Sequence, residues 1–110
     1  MGHTDRKVFA ELRTGGRRVR RGPVTITWLP GDAGQPPRVA YAIGRRVGGA
    51  VVRNRVRRRL RAITADLAPQ MHPGAYLLGA GREAASVPYE ELKRAVTEAL
   101  ADLPEGPAAT

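Results

Sequence analysis

Ala50-Val-Val-Arg-Asn-Arg-Val-Arg-Arg-Arg-Leu-Arg61 sets six arginines and one asparagine on an apolar pattern of helical period, without a single acid. At 3.6 residues per turn, Val52, Val56, Leu60, Ile63 and Leu67 are separated by steps of three and four and form one stripe that needs a core. Arg46, Ala50, Arg53, Asn54, Arg57 and Arg61 fall on the neighbouring flank, stacking guanidinium groups about one turn apart. The pattern predicts a helix from about Val47 to Leu67, stopped by Pro69 and Pro73. Like charges stacked this way repel by a few tenths of a kcal/mol per pair, a penalty that an external polyanion would remove. Arginine suits that partner, because its planar fork donates two hydrogen bonds to one phosphate and stacks on a base.

Working outward, Val24-Thr-Ile-Thr-Trp-Leu29 and Arg38-Val-Ala-Tyr-Ala-Ile43 are β-branched and aromatic runs that read as strands. The Pro/Gly-rich segment Pro30 to Pro37 between them predicts an antiparallel hairpin with a long loop. Ala75-Tyr-Leu-Leu-Gly-Ala80 is a third strand, and Tyr89, Leu92, Val96, Leu100 and Leu103 mark a final amphipathic helix. Its outer face carries Glu90, Glu91 and Glu98, with Glu90 and Arg94 at a spacing suited to surface pairing. Before the first strand, Asp5 can cap a short helix containing Val8, Phe9 and Leu12, ended by Thr14-Gly15-Gly16. Arg17-Arg-Val-Arg-Arg-Gly-Pro23 reads as a basic loop. The resulting order, α-β-β-α-β-α, is an α+β domain with a small sheet packed on helices, expected to span residues 1–103 and leave 104–110 as a flexible C-terminal tail.

Charge is segregated along the chain. Residues 12–65 hold fourteen arginines and one acid, Asp32, a block of +13, whereas the remainder nets −4 to give +9 overall. A one-sided positive field steers polyanions. An anionic membrane is disfavoured as the partner, because the basic helix commits its apolar face to the core and carries no aromatic residue. There is no cysteine, hence no disulfide and no thiolate metal site. The absence of an apolar run of spanning length, or of a signal-peptide apolar region after Met1, gives the expectation of a cytoplasmic protein.

Catalytic machinery is not legible in the residues. His3 and His72 lie in segments typical of surface histidines, and the one serine, Ser86, has no histidine partner in its sequence context. A two-metal nuclease needs convergent carboxylates, and the basic half offers only Asp32. A DNA-binding reading would call for a helix-turn-helix pair or a zipper, and neither is visible.

The stretch Gly44-Arg-Arg-Val-Gly-Gly-Ala-Val-Val-Arg-Asn-Arg-Val-Arg-Arg-Arg-Leu-Arg61 resembles the signature of the protein subunit of bacterial ribonuclease P. That signature is a basic pair, a Gly-containing step into a helix, and A-x-x-R-N-x-x-K/R-R-x-x-R, matched by Ala50, Arg53, Asn54, Arg57, Arg58 and Arg61. More weakly, the resemblance covers about residues 5–103 through the order of elements. It implies an α/β sandwich like the second domain of ribosomal protein S5, with a small mixed central sheet and a left-handed crossover through the basic helix. Gly48 and Gly49 are expected to let that crossover turn tightly. It also implies a subunit that binds a catalytic RNA through Arg45, Arg46, Arg53, Asn54, Arg55, Arg57, Arg58 and Arg61, and holds the 5′ leader of precursor tRNA over the sheet. In that family the RNA performs the hydrolysis and holds most of the Mg2+; no metal is expected on the protein alone, which is expected to act as a monomer within the holoenzyme.

For the leader, the resemblance points to Phe9, Arg13, Arg17, Arg18 and Trp28. The chain departs from the family pattern here, with Arg13 standing where a second aromatic is common; arginine can still stack on a base and pair with phosphate. The segment before the first predicted helix is short on charge, which Arg17, Arg18, Arg20 and Arg21 are expected to supply. The competing function is a general RNA-binding or ribosome-associated protein of similar fold, without a role in tRNA processing.

Overall fold

The computed structural model describes residues 15–32 and 34–103; the expected first helix, with Phe9 and Arg13, and the expected tail 104–110 lie outside the described residues. Four strands, β1 (Arg17–Arg21), β2 (Val24–Pro30), β3 (Arg38–Ala42) and β4 (Gly74–Ala80), form one mixed sheet in the order β1-β2-β4-β3. Two helices, α1 (Ala50–Leu67) and α2 (Tyr89–Asp102), cover one face. Short 3₁₀ turns follow α1 at Ala68–Gln70 and β4 at Arg82–Ala85.

Two expectations are corrected. Arg17–Arg21 is a strand, not a loop: it pairs antiparallel with β2 in the register Arg21↔Val24 to Arg17↔Trp28. The reversal takes two residues, Gly22 and Pro23, and Gly22 has φ +54°, the positive value that primed hairpin turns require. The second correction concerns partners. β2 and β3 do not form a hairpin; β4 inserts between them, antiparallel to β2 (Ile26↔Leu78, Trp28↔Tyr76) and parallel to β3 (Val39↔Tyr76, Tyr41↔Leu78). A parallel pair needs a long crossover, and α1 supplies it.

Alternation along the strands sorts side chains to two faces. Val24, Ile26, Trp28, Tyr76 and Leu78 point to the helices and are buried together with Val56, Leu60, Ile63 and Leu67 of α1 and Leu92, Val96 and Ala99 of α2. Full burial of one such aliphatic side chain is worth about 1.5–3 kcal/mol. Five pairs of arginines on α1 sit three or four residues apart, and their mutual repulsion sums to about 1–2.5 kcal/mol. Four buried anchors therefore outweigh it, and α1 holds its shape without a counter-ion.

Two glycines are required by close approach. Gly48 has φ +152°, and a Cβ there would lie 2.9 Å from the Val52 side chain. Gly74 has φ +140°, and a Cβ would come within 2.4 Å of the Leu29 carbonyl oxygen and 2.7 Å of Trp28 Nε1. Of the expected pair at the crossover, Gly48 carries the constraint; Gly49, extended at the helix N-terminus, has open space around it.

Candidate nucleic-acid interface

The helix begins at Ala50, three residues later than its hydrophobic period suggests, because Gly44–Gly48 forms turns instead. No acid and no capping side chain occupies the first turn, so the positive end of the helix dipole adds to the arginine charge. Asn54, Arg57, Arg58 and Arg61 line one concave surface with Val51, a space of ≈ 440 Å3. Val51 is 82% exposed, the one large apolar side chain so placed among the described residues.

Asn54 is oriented by its neighbour. Arg57 Nη1 donates to Asn54 Oδ1 at 2.9 Å, so the amide carbonyl has a partner and the NH2 group of this exposed side chain remains as a donor. The surface thus offers donors from one amide and three guanidinium groups, the complement of an acceptor-only ligand such as phosphate. None of the α1 arginines forms an ion pair among the described residues; the acid of the helix, Asp66, pairs with Lys93 at 3.0 Å. The expected Glu90–Arg94 pair is not among the ion pairs of the described residues, and Asp66 holds the Lys93 ammonium above its ordinary pKa.

The expected site residues do not act as one block. Arg57, Arg58 and Arg61 share the concave surface with Asn54, whereas Arg53 is half-buried, its Nε enclosed with no hydrogen-bond partner among the described residues. Arg55, two positions on from Arg53, is turned to the opposite side of the helix and is exposed. Arg59 is diverted to structure: Nη1 donates to the Ala84 carbonyl at 2.9 Å and Nη2 to the Val87 carbonyl at 2.6 Å.

A second basic surface lies on the sheet face opposite the helices. Thr25, Thr27, Ala42, Leu77 and Gly79 floor a groove of ≈ 460 Å3 rimmed by Arg18, Arg20, Arg46 and Arg82. Arg18 falls there as expected, but strand alternation sends Arg17 to the other face, and Arg21 on that same face pairs with Asp102 of α2. Arg45 is exposed in the turn before α1, and Arg46 stands between the groove and the helix. Arg82, which the sequence reading did not single out, completes the rim because the Arg82–Ala85 turn follows β4 directly.

Trp28 corrects another expectation. It shares the inward parity of Val24 and Ile26, is 3% exposed, donates from Nε1 to the Pro73 carbonyl at 3.3 Å and stacks on Tyr76 at 6.2 Å. It packs the core and is turned away from the groove. Tyr76 in turn donates to the His72 carbonyl at 2.6 Å, and burial pushes its hydroxyl pKa up to about 12. Ser86 donates to the Glu83 carbonyl at 3.3 Å, closing a turn.

Among the described residues, no group of three His, Cys, Asp or Glu side chains converges to hold a metal, and no helix is long and apolar enough to cross a membrane. The ribonuclease P family profile matches residues 4–104. The chain belongs to the ribonuclease P protein family. A ribonuclease P protein component from Symbiobacterium thermophilum is 39% identical over 94 residues, 84% of this chain and 82% of that protein. Another, from Clavibacter michiganensis, is 38% identical over 90 residues, 77% of this chain and 80% of its own length. In fold, the ribonuclease P protein of Thermotoga maritima superposes with a TM-score of 0.79 over 91% of this chain and 94% of its own, at 15% identity.

Proposed function

We propose that this protein, as the ribonuclease P subunit, binds the catalytic RNA through the outer flank of α1 and holds the 5′ leader of precursor tRNA in the arginine-rimmed sheet groove. The observation that carries this reading is the donor-only surface of Asn54, Arg57, Arg58 and Arg61, which is free of acids in a chain of this family. In the holoenzyme, water adds across one phosphodiester, leaving a 5′ phosphate on the tRNA and a 3′ hydroxyl on the leader. Mg2+, held mainly by the RNA, would supply the charge that activates the water. The protein's own residues do different work: arginines screen phosphate repulsion between two RNAs, and the groove holds a single strand against a floor of uncharged side chains. One copy acting in the cytoplasm is sufficient for this arrangement.

The test is reconstitution. Purified protein is added to ribonuclease P RNA and precursor tRNA at low Mg2+, and leader release is followed with substrates of long and one-nucleotide leader. Stimulation is expected, greater for the long leader and diminished by Arg18→Glu and Arg82→Glu. Equal binding to any RNA with no stimulation would instead favour a general RNA-binding protein.

A further inference from the structure

Arg61 is held from below by a closed chain of contacts that begins on β3. Its guanidinium carbon lies 5.8 Å from the centre of the Tyr41 ring, within cation–π range. The Tyr41 hydroxyl lies 2.7 Å from Thr64 Oγ1, and Thr64 Oγ1 lies 3.1 Å from the Arg61 carbonyl oxygen. Thr64 has a single hydroxyl proton. Donating it to the Arg61 carbonyl leaves Thr64 Oγ1 to accept from Tyr41, so the proton order runs Tyr41 to Thr64 to Arg61. The ring beneath the guanidinium is therefore bonded, through one buried threonine, to the backbone of the residue it supports.

We propose that Tyr41 and Thr64 are positioning residues that hold the Arg61 guanidinium as a preset phosphate contact at the end of the α1 surface, a role that rests on the RNA-binding reading above. An exposed arginine carries about 2 kcal/mol of rotamer entropy, part of which is lost when it grips a phosphate. A ring that already restricts the side chain lowers that loss. The same ring lies on the face of the sheet that packs against α1, so the geometry of the RNA-facing flank is tied to the sheet register Tyr41↔Leu78.

Two measurements separate the proposal from the reading beneath it. In the free protein, NMR of the Arg61 side chain is expected to show upfield ring-current shifts that disappear in Tyr41→Leu and shrink in Tyr41→Phe. With ribonuclease P RNA as probe, Tyr41→Leu is expected to weaken binding about threefold, the size of an exposed cation–π contact. Tyr41→Phe keeps the ring and the fold while losing the hydroxyl clamp, and is expected to cost less than twofold. Both effects are expected to vanish in an Arg61→Gln background, which a general loss of stability would not do. If Arg61→Gln weakens RNA binding while the Tyr41 variants cost the same with or without it, the positioning role is overturned. Absence of the ring-current shifts overturns it as well. If Arg61→Gln leaves RNA binding unchanged although the shifts are present, the RNA-facing assignment of this flank fails, and the positioning role falls with it.

Discussion

Replacing Asn54 by aspartate exchanges one NH2 group for an oxygen and tests the α1 surface through opposite effects on folding and binding. In the parent, Asn54 Oδ1 accepts from Arg57 at 2.9 Å and the NH2 group is available as a donor. The aspartate keeps the acceptor, now charged, and loses the donor. Arg57 becomes the partner of an ion pair three residues away on the same helix, a contact worth a few tenths of a kcal/mol in an exposed setting. Stability is thus expected to rise slightly or hold. Binding is expected to fall, because the carboxylate neutralises one guanidinium of the surface and faces the RNA itself. Loss of one effective phosphate contact lowers the log–log salt slope by about 0.7–0.9, which relative to 1 M salt amounts to roughly a five- to eightfold weaker complex at 0.1 M. The assay is filter binding of ribonuclease P RNA from 0.05 to 0.5 M salt, with urea unfolding in parallel. An unchanged slope and affinity in Asn54→Asp would refute the assignment of this surface to phosphate.

Other substitutions separate structural from RNA-facing roles. Arg59→Met removes two charge-assisted hydrogen bonds to carbonyls and is expected to cost about 2 kcal/mol in urea unfolding, while Arg58→Met leaves stability unchanged and flattens the salt slope of RNA binding. Gly74→Ala forces a Cβ against the Leu29 carbonyl at a positive φ and is expected to cost about 3 kcal/mol, lowering the thermal midpoint by more than 10 °C. Folding holds the Tyr76 phenol proton more tightly than the unfolded chain does, so the thermal midpoint is expected to show no pH dependence from this group below pH 10, where its stabilising effect is fully present, and to fall as pH rises from 10 towards 12. Tyr76→Phe loses about 1 kcal/mol at neutral pH with the bond to the His72 carbonyl, and that alkaline fall is absent from it.

What the residues disclose depends on the range of the forces involved. The α1 stripe, the α2 face and the inward positions of β2 and β4 repeat with a local period, so they are readable without the rest of the chain. β1 escaped because four of its five residues are arginine, a composition that suggests solvent; its signals were Val19 at the centre and the Gly22-Pro23 reversal. Strand pairing also escaped. Neighbours in sequence commonly pair, and only the length of the 31–37 connection warned that β2 and β3 stand apart; the mixed sheet followed from the family resemblance. At the site, the flank was legible from steps of three and four, whereas the diversion of Arg59 to Ala84 and Val87 depends on segments more than twenty residues away. The same holds for the groove, where Arg82 joins Arg18, Arg20 and Arg46 only once β4 lies beside β2. Trp28 was ambiguous because a lone aromatic suits either face, and its parity with Val24 and Ile26 decides the matter.

The strand that joins the two halves of the sheet is the last to leave the ribosome. Until residues 74–80 emerge, β3 has no neighbour and the edge of β2 that β4 later covers is bare, so the apolar stripe of α1 has only part of its sheet to pack on. Completion of the tertiary structure must therefore wait for a contact some fifty residues distant along the chain, between Ile26 and Leu78, a separation of the kind that slows folding. During that interval the nascent polypeptide already displays its arginine segment, and a nearby polyanion would meet the charge before it meets the shape.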